Sequence, residues 1–156
     1  MKITVDELNT LSQTAEPFKY IIDPDEPVFA AKGDDMAERI RDYCVKTKQG
    51  EPTLAEILRC IYDSLSVKIK ETIAVIEKIS GKTFKEINIF GGGSQSALLC
   101  QTVADLTRKT VHSGPVEASC VGNAAAQFIA NGHIKDVNEA KTIIRNSFDI
   151  KIYQPM

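Results

Sequence analysis

Tryptophan is absent from these 156 residues, and aromatic side chains make up only 6% of them. So few flat rings leave little with which to stack bases or sugars, and the core has to be aliphatic. Histidine is almost missing too: His112 and His133 stand in no H-x-x-H or H-E-x-x-H frame, which excludes the zinc metallohydrolase pattern. Cys44, Cys60, Cys100 and Cys120 form no C-x-x-C pair and have no histidine at ligand spacing, so no metal site is expected. A Cys44–Cys60 bridge would join neighbouring helices, but in a reducing compartment the expectation is buried free thiols. An excess of one charge is lacking as well. With 19 basic and 21 acidic side chains the net charge is −2, and there is no electrostatic footprint for nucleic acid. Apolar runs last only a few residues and the amino end is no signal peptide, so a membrane is excluded as a partner and a cytoplasmic location is expected.

What is present is an ordinary α/β composition, 43% hydrophobic and 26% charged, of a size for one domain. Residues 5 to 14 read as a short amphipathic helix, with Thr4 as N-cap and Asp6 and Glu7 in the first turn. Residues 18 to 22 alternate weakly and read as extended, until the prolines of Asp23-Pro24-Asp25-Glu26-Pro27 impose a rigid, solvated turn that excludes helix. Residues 35 to 46 form a second helix with Met36, Ile40, Tyr43 and Cys44 on one side. Thr53 and Glu56 make a capping box and Gly81 a stop, which predicts a long helix over 54 to 80. Its stripe of Leu54, Leu58, Ile61, Leu65, Ile69, Ile73, Ile76 and Ile79, widened by Ile57, Tyr62 and Val75, is broad enough to predict packing on more than one side. Beyond it the period changes: strand 87–90, a tight loop 91–93, helix 94–107, strand 110–113, helices near 117–130 and 136–146, and a terminal strand 150–153.

Two stretches carry the chemistry. In the first, Gly91-Gly92-Gly93 joins a strand to a helix; glycine permits positive φ and removes the Cβ atoms that would hold a ligand away from the backbone. From this loop alone, a nucleotide contact and a plain sharp turn are level readings, and neither the P-loop nor the G-x-G-x-x-G pattern is met. In the second, Ala118, Gly122, Ala125 and Ala126 share one side of a helix, allowing close approach of another backbone or a flat ligand, while Glu117 sits at the favourable end of the helix dipole.

Together, Ile89 through Asp105 and the run Ser113-Gly114-Pro115-Val116-Glu117-Ala118-Ser119 with Gly122-Asn123-Ala124 resemble the carboxy-terminal half of an FGGY-family carbohydrate kinase. The second run, with Ile22-Asp23-Pro24-Asp25 and Phe29, is most similar to the branch that phosphorylates L-rhamnulose. The resemblance implies a ribonuclease-H-like, actin-like ATPase fold, here helix-rich with a small remaining sheet, and transfer of the ATP γ-phosphate to a sugar hydroxyl. By position, Gly92 and Gly93 would contact adenosine through the backbone, Gly91 would allow the turn, and Ser96, where the family often has Asn, would face the adenine. Residues 1–156 would be a partial carboxy-terminal domain: 1–52 a helical and loop insertion segment, 53–156 the nucleotide-binding core.

The family's catalytic aspartate, sugar-binding residues and phosphate loops would precede the point matching Met1. The expected partner is therefore a missing amino-terminal sugar-binding half, with Mg2+ accompanying ATP and no catalytic residue in this chain. Such a chain alone is expected to be inactive. The competing expectations are a stand-alone nucleotide-binding or regulatory module, another sugar kinase of the family such as a xylulose kinase, and self-association through exposed sheet edges.

Overall fold

The computed structural model of the chain describes residues 5–30, 33 and 35–156, and it divides after Thr83 into two units, each with buried apolar residues of its own. The first unit holds helices α1 (Val5–Ser12), α2 (Pro27–Ala30), α3 (Met36–Lys46) and α4 (Leu54–Ser80). Its core is Tyr20, Ile22, Ile40, Cys44, Ile57 and Cys60. The expected cap Thr4 lies outside the described residues, as does the side chain of Asp6.

Helix α4 begins and ends where its sequence signals place it. The Thr53 hydroxyl accepts from the Glu56 amide at 3.4 Å, the Glu56 carboxylate accepts from the Thr53 amide at 2.8 Å, and Gly81 turns left-handed at φ 65°. As expected, α4 packs on more than one side, against both α1 and α3, but its apolar stripe is used only in part. Its buried face is Ile57, Arg59, Cys60, Asp63, Ser64 and Ser66, all in the first half, while Leu54, Leu65, Val75, Ile76 and Ile79 are exposed. The reason is polar: Asp63 and Ser64 must reach the backbone of residues 18–22, and that turns their side of the helix inward.

Residues 18–22 are not a strand. Phe18 sits at φ 58°, and the segment's hydrogen bonds go to side chains. The Phe18 amide donates to Asp63 Oδ2 (2.6 Å), the Ile21 amide to Gln49 Oε1 (2.8 Å) and the Ile22 amide to Ser64 Oγ (3.0 Å), while Gln49 Nε2 donates to the Ile21 carbonyl (2.8 Å). Buried backbone groups need partners, and here distant side chains replace a neighbouring strand. Asp63 also receives Arg59 Nε at 2.9 and 3.0 Å. The two prolines do not exclude helix either: Pro27 opens α2, because a first-turn position needs no N–H. Asp23 and Asp25 of that turn both pair with Lys68, at 3.0 and 2.6 Å, and hold its ammonium above the usual lysine range.

The second unit is a three-stranded sheet in the order β1-β2-β3, with β1 (Glu86–Ile89) parallel to β2 (Thr110–Ser113) and β3 (Lys151–Tyr153) antiparallel to β2. Helix α5 (Ala97–Thr107) makes the crossover between the parallel strands, burying Leu99, Cys100, Val103 and Ala104 with Val111 of β2. Helices α6 (Ala118–Ala130) and α7 (Val137–Ser147) follow β2. Among the described residues no other backbone closes on the small-residue side of α6: none of its residues is buried, and a Cβ at Gly122 would meet nothing within 4 Å. Glu117 is the N-cap residue of α6 but makes no side-chain capping bond. Asp136, by contrast, caps α7 through the amides of Asn138 and Glu139.

Candidate nucleotide site

The segment from β1 to α5 is built differently from the expected loop and immediate helix. Residues Gly91–Gln95 form a 3-10 turn, Ser96 is the N-cap, and the α-helix starts only at Ala97. Strand β1 leaves its last residue, Ile89, carrying a carbonyl that accepts from the Gly114 amide at 2.9 Å. The chain then swings through Gly91 at φ +72°, a conformation strained for any residue with a Cβ. Gly92 is exposed, and a Cβ placed on it would meet no heavy atom within 4 Å. Gly93 has Leu99 Cδ2 at 3.5 Å and Ile89 Cγ2 at 3.8 Å from its ideal Cβ position, ordinary contact distances. The turn is thus open at Gly91 and Gly92 and closed at Gly93 against the side chains beneath it.

Ser96 lies below the turn. It is 6% exposed, and its hydroxyl accepts from the Leu99 amide at 3.2 Å, capping α5. Thus Gly91, Gly92 and Gly93 share the accessible turn, whereas Ser96 anchors it from the helix side. Beneath the turn is a polar cluster that the strand and helix patterns do not announce. Ser113, at the end of β2 and 4% exposed, donates from Oγ to the Ser94 carbonyl at 2.6 Å. Ser94 Oγ donates to the Gly91 carbonyl, also at 2.6 Å. The Cys100 thiol lies 3.9 Å from the Gly93 carbonyl and 4.0 Å from that of Ser94; burial pushes its pKa up, with the Ser113 hydroxyl opposing. The signal that could have found Ser113 is its inward strand position next to Val111, where an apolar residue is the rule.

The opposite face of the sheet carries Glu86, Asn88 and His112. A cleft of about 410 Å³ at the carboxyl ends of β1 and β2 is lined by Asn88, Phe90, Pro115, Gly122, Lys141 and Arg145 among others, and by none of the glycine-turn residues. His112 Nε2 is 3.6 Å from Glu86 Oε2 and makes no hydrogen bond. His133 packs edge-on to Phe128. Among the described residues, no group of three or more His, Cys, Asp or Glu side chains converges, and no helix is long and apolar enough to cross a membrane. All four thiols are free, with Cys44, Cys60 and Cys100 buried and Cys120 exposed. The Cys60 thiol is pushed up to about 12, chiefly by burial.

Residues 2–131, which include the whole β1–turn–α5–β2–α6 segment, match the model of the FGGY family of carbohydrate kinases, C-terminal domain. The chain belongs to that family. The FGGY carboxy-terminal domain has the actin-like ATPase fold, and the helix-rich α/β architecture with its small sheet agrees with the expectation drawn from the sequence motifs. Helix α7 and strand β3 lie beyond the matched residues. Over 137 residues the chain is 41% identical to a rhamnulokinase of Halalkalibacterium halodurans, covering 87% of this chain and 29% of that protein. It is 36% identical over 145 residues to the rhamnulokinase of Bacillus subtilis, covering 92% and 30%, and 35% identical over 150 residues to that of Lactiplantibacillus plantarum, covering 96% and 30%. The FGGY chain thus spans just under a third of the length of these curated relatives.

Proposed function

We propose that this chain forms the adenosine side of the phosphoryl-donor site of a sugar kinase that transfers the γ-phosphate of ATP to L-rhamnulose, giving L-rhamnulose 1-phosphate. The observation that carries the reading is the open glycine turn Gly91–Gly93, with Gly91 at positive φ and no atom near the Cβ position of Gly92. Backbone of this kind holds a nucleoside by shape and contact; ATP supplies the transferable phosphoryl group, and Mg2+ accompanies it. Phosphoryl transfer rests mainly on positioning and charge stabilisation, so a surface that fixes the adenosine end of ATP is one necessary part of the apparatus. Residues 84–156, which carry the glycine turn, act as the nucleotide-binding core, with α4 grouped with the helical unit that ends at Thr83 rather than with a core beginning at residue 53, in a cytoplasmic enzyme. The choice of L-rhamnulose rests on the similarity to rhamnulokinases.

The remaining part of the site comes from an amino-terminal, sugar-binding portion like that of the longer relatives. Among the described residues β1 is an edge strand, and its outward N–H and C=O groups suit pairing with a strand of that portion or of a second copy. The test is to assay the chain alone, then mixed with the separately produced amino-terminal part of the Bacillus subtilis rhamnulokinase, for ATP-dependent phosphorylation of L-rhamnulose and of D-xylulose. No turnover alone and restored turnover with L-rhamnulose on mixing are expected. Steady turnover by the chain alone, or restored activity confined to D-xylulose, contradicts the proposal.

A further inference from the structure

We propose that Ser113 is a positioning residue for the nucleotide: its buried hydroxyl holds the Ser94 carbonyl and thereby fixes the shape of the glycine turn. The inference rests on the reading of Gly91–Gly93 as the adenosine cradle. Its starting point is a polar residue where patterning calls for an apolar one. Ser113 occupies the inward side of β2, alternating with the fully buried Val111. A buried hydroxyl is costly unless its hydrogen bond is made, and this one is made to the glycine turn and to no strand neighbour.

The tether is double. Ser113 and Gly114 are consecutive, and they bind the two ends of the turn: the Gly114 amide donates to the carbonyl of Ile89 at the entry, and Ser113 Oγ donates to that of Ser94 at the exit. Ser94 Oγ closes the interior of the turn on the Gly91 carbonyl. With the carbonyls of Ile89 and Ser94 bound from the end of β2 and that of Gly91 bound from within the turn, the turn is held against flattening. Strand β2 therefore transmits its own rigidity to a loop whose three glycines would otherwise make it the loosest part of the unit.

The test uses the full chain with ADP as probe and amide hydrogen exchange as a second readout, comparing Ser113→Ala, Ser113→Thr and the core control Val103→Ala. Ser113→Ala is expected to weaken ADP binding about fivefold, the worth of one hydrogen bond. It is also expected to speed exchange selectively at residues 91–96. Ser113→Thr, which keeps the hydroxyl, restores both. Val103→Ala lowers overall stability while leaving the exchange pattern of the turn and the ADP affinity at wild-type values. The proposal is overturned if Ser113→Ala matches wild type in both readouts, or if Val103→Ala perturbs the turn as much. It is also overturned if the wild-type chain does not bind ADP; faster turn exchange in Ser113→Ala would then show that the tether exists and that the cradle reading is what failed.

Discussion

Each unit of the molecule contains an irregular backbone segment held by buried or half-buried side chains, and the two are held by different kinds of contact. In the first unit, residues 18–22 hang on Asp63, Gln49 and Ser64, which lie 45, 28 and 42 residues away in sequence, and Asp63 is ionically paired with Arg59. In the second, the glycine turn hangs on the neutral hydroxyls of Ser94 and Ser113 and on one backbone amide. A charged clasp leaves a stranded partner charge when cut, so its loss is severe; a neutral tether loses only a hydrogen bond. Clasping of the first kind builds a core, whereas tethering of the second kind shapes a surface without making its unit depend on it.

The largest effect should come from Asp63→Ala, which leaves Arg59 buried without its carboxylate and the Phe18 amide without an acceptor. A loss of about 3–5 kcal/mol is expected in urea denaturation. The cysteines separate the units: Cys44 and Cys60 should become reactive to a thiol reagent in this variant while Cys100 stays protected. Equal exposure of all three would show that the units do not unfold separately. Next is Gly91→Ala, which has room for its methyl but forces a Cβ into φ +72°; a cost of about 1–2 kcal/mol is expected, together with weakened ADP binding. Thr53→Ala removes the capping box of α4 and should cost about 1 kcal/mol, read as a lowered denaturation midpoint with unchanged thiol protection of Cys100.

The smallest effect is a pH dependence in the first unit. Glu56 is held down to about 2, first by the Lys19 ammonium at 2.6 Å and then by the Thr53 amide and hydroxyl. A carboxylate whose folded value is depressed adds stability above its ordinary range and loses it as pH falls toward the folded value. The wild-type chain should therefore lose stability between about pH 5 and pH 2, and Glu56→Gln should flatten that slope slightly, the pair being near the surface. An unchanged slope would remove the capping carboxylate from the account of α4.

The fold was legible wherever local chemistry decides it. Thr53, Glu56 and Gly81 announce α4, and Thr110 to Ser113 are read as the strand they form, because caps and short apolar runs act within a few residues. Residues 18–22 were not legible, since their hydrogen-bond partners are side chains tens of residues away and no alternation encodes them. The inward face of α4 was legible only in part, in Ile57 and in packing on more than one side, because Asp63 and Ser64 take inward positions to satisfy the amides of Phe18 and Ile22. Of the candidate site, the glycine turn stood out in the sequence, whereas Ser113 did not, being one hydroxyl whose meaning appears only when the end of β2 lies under Ser94.

The central claim is that adenosine lies against the glycine turn, and the most direct measurement is an ADP titration of the isotope-labelled chain followed at its backbone amides by NMR. Saturable shifts centred on Gly91, Gly92 and Gly93, weak or absent in Gly91→Ala, are the predicted result. Saturation with no shift at those three glycines, or shifts centred on the cleft lined by Phe90, Lys141 and Arg145, would contradict it.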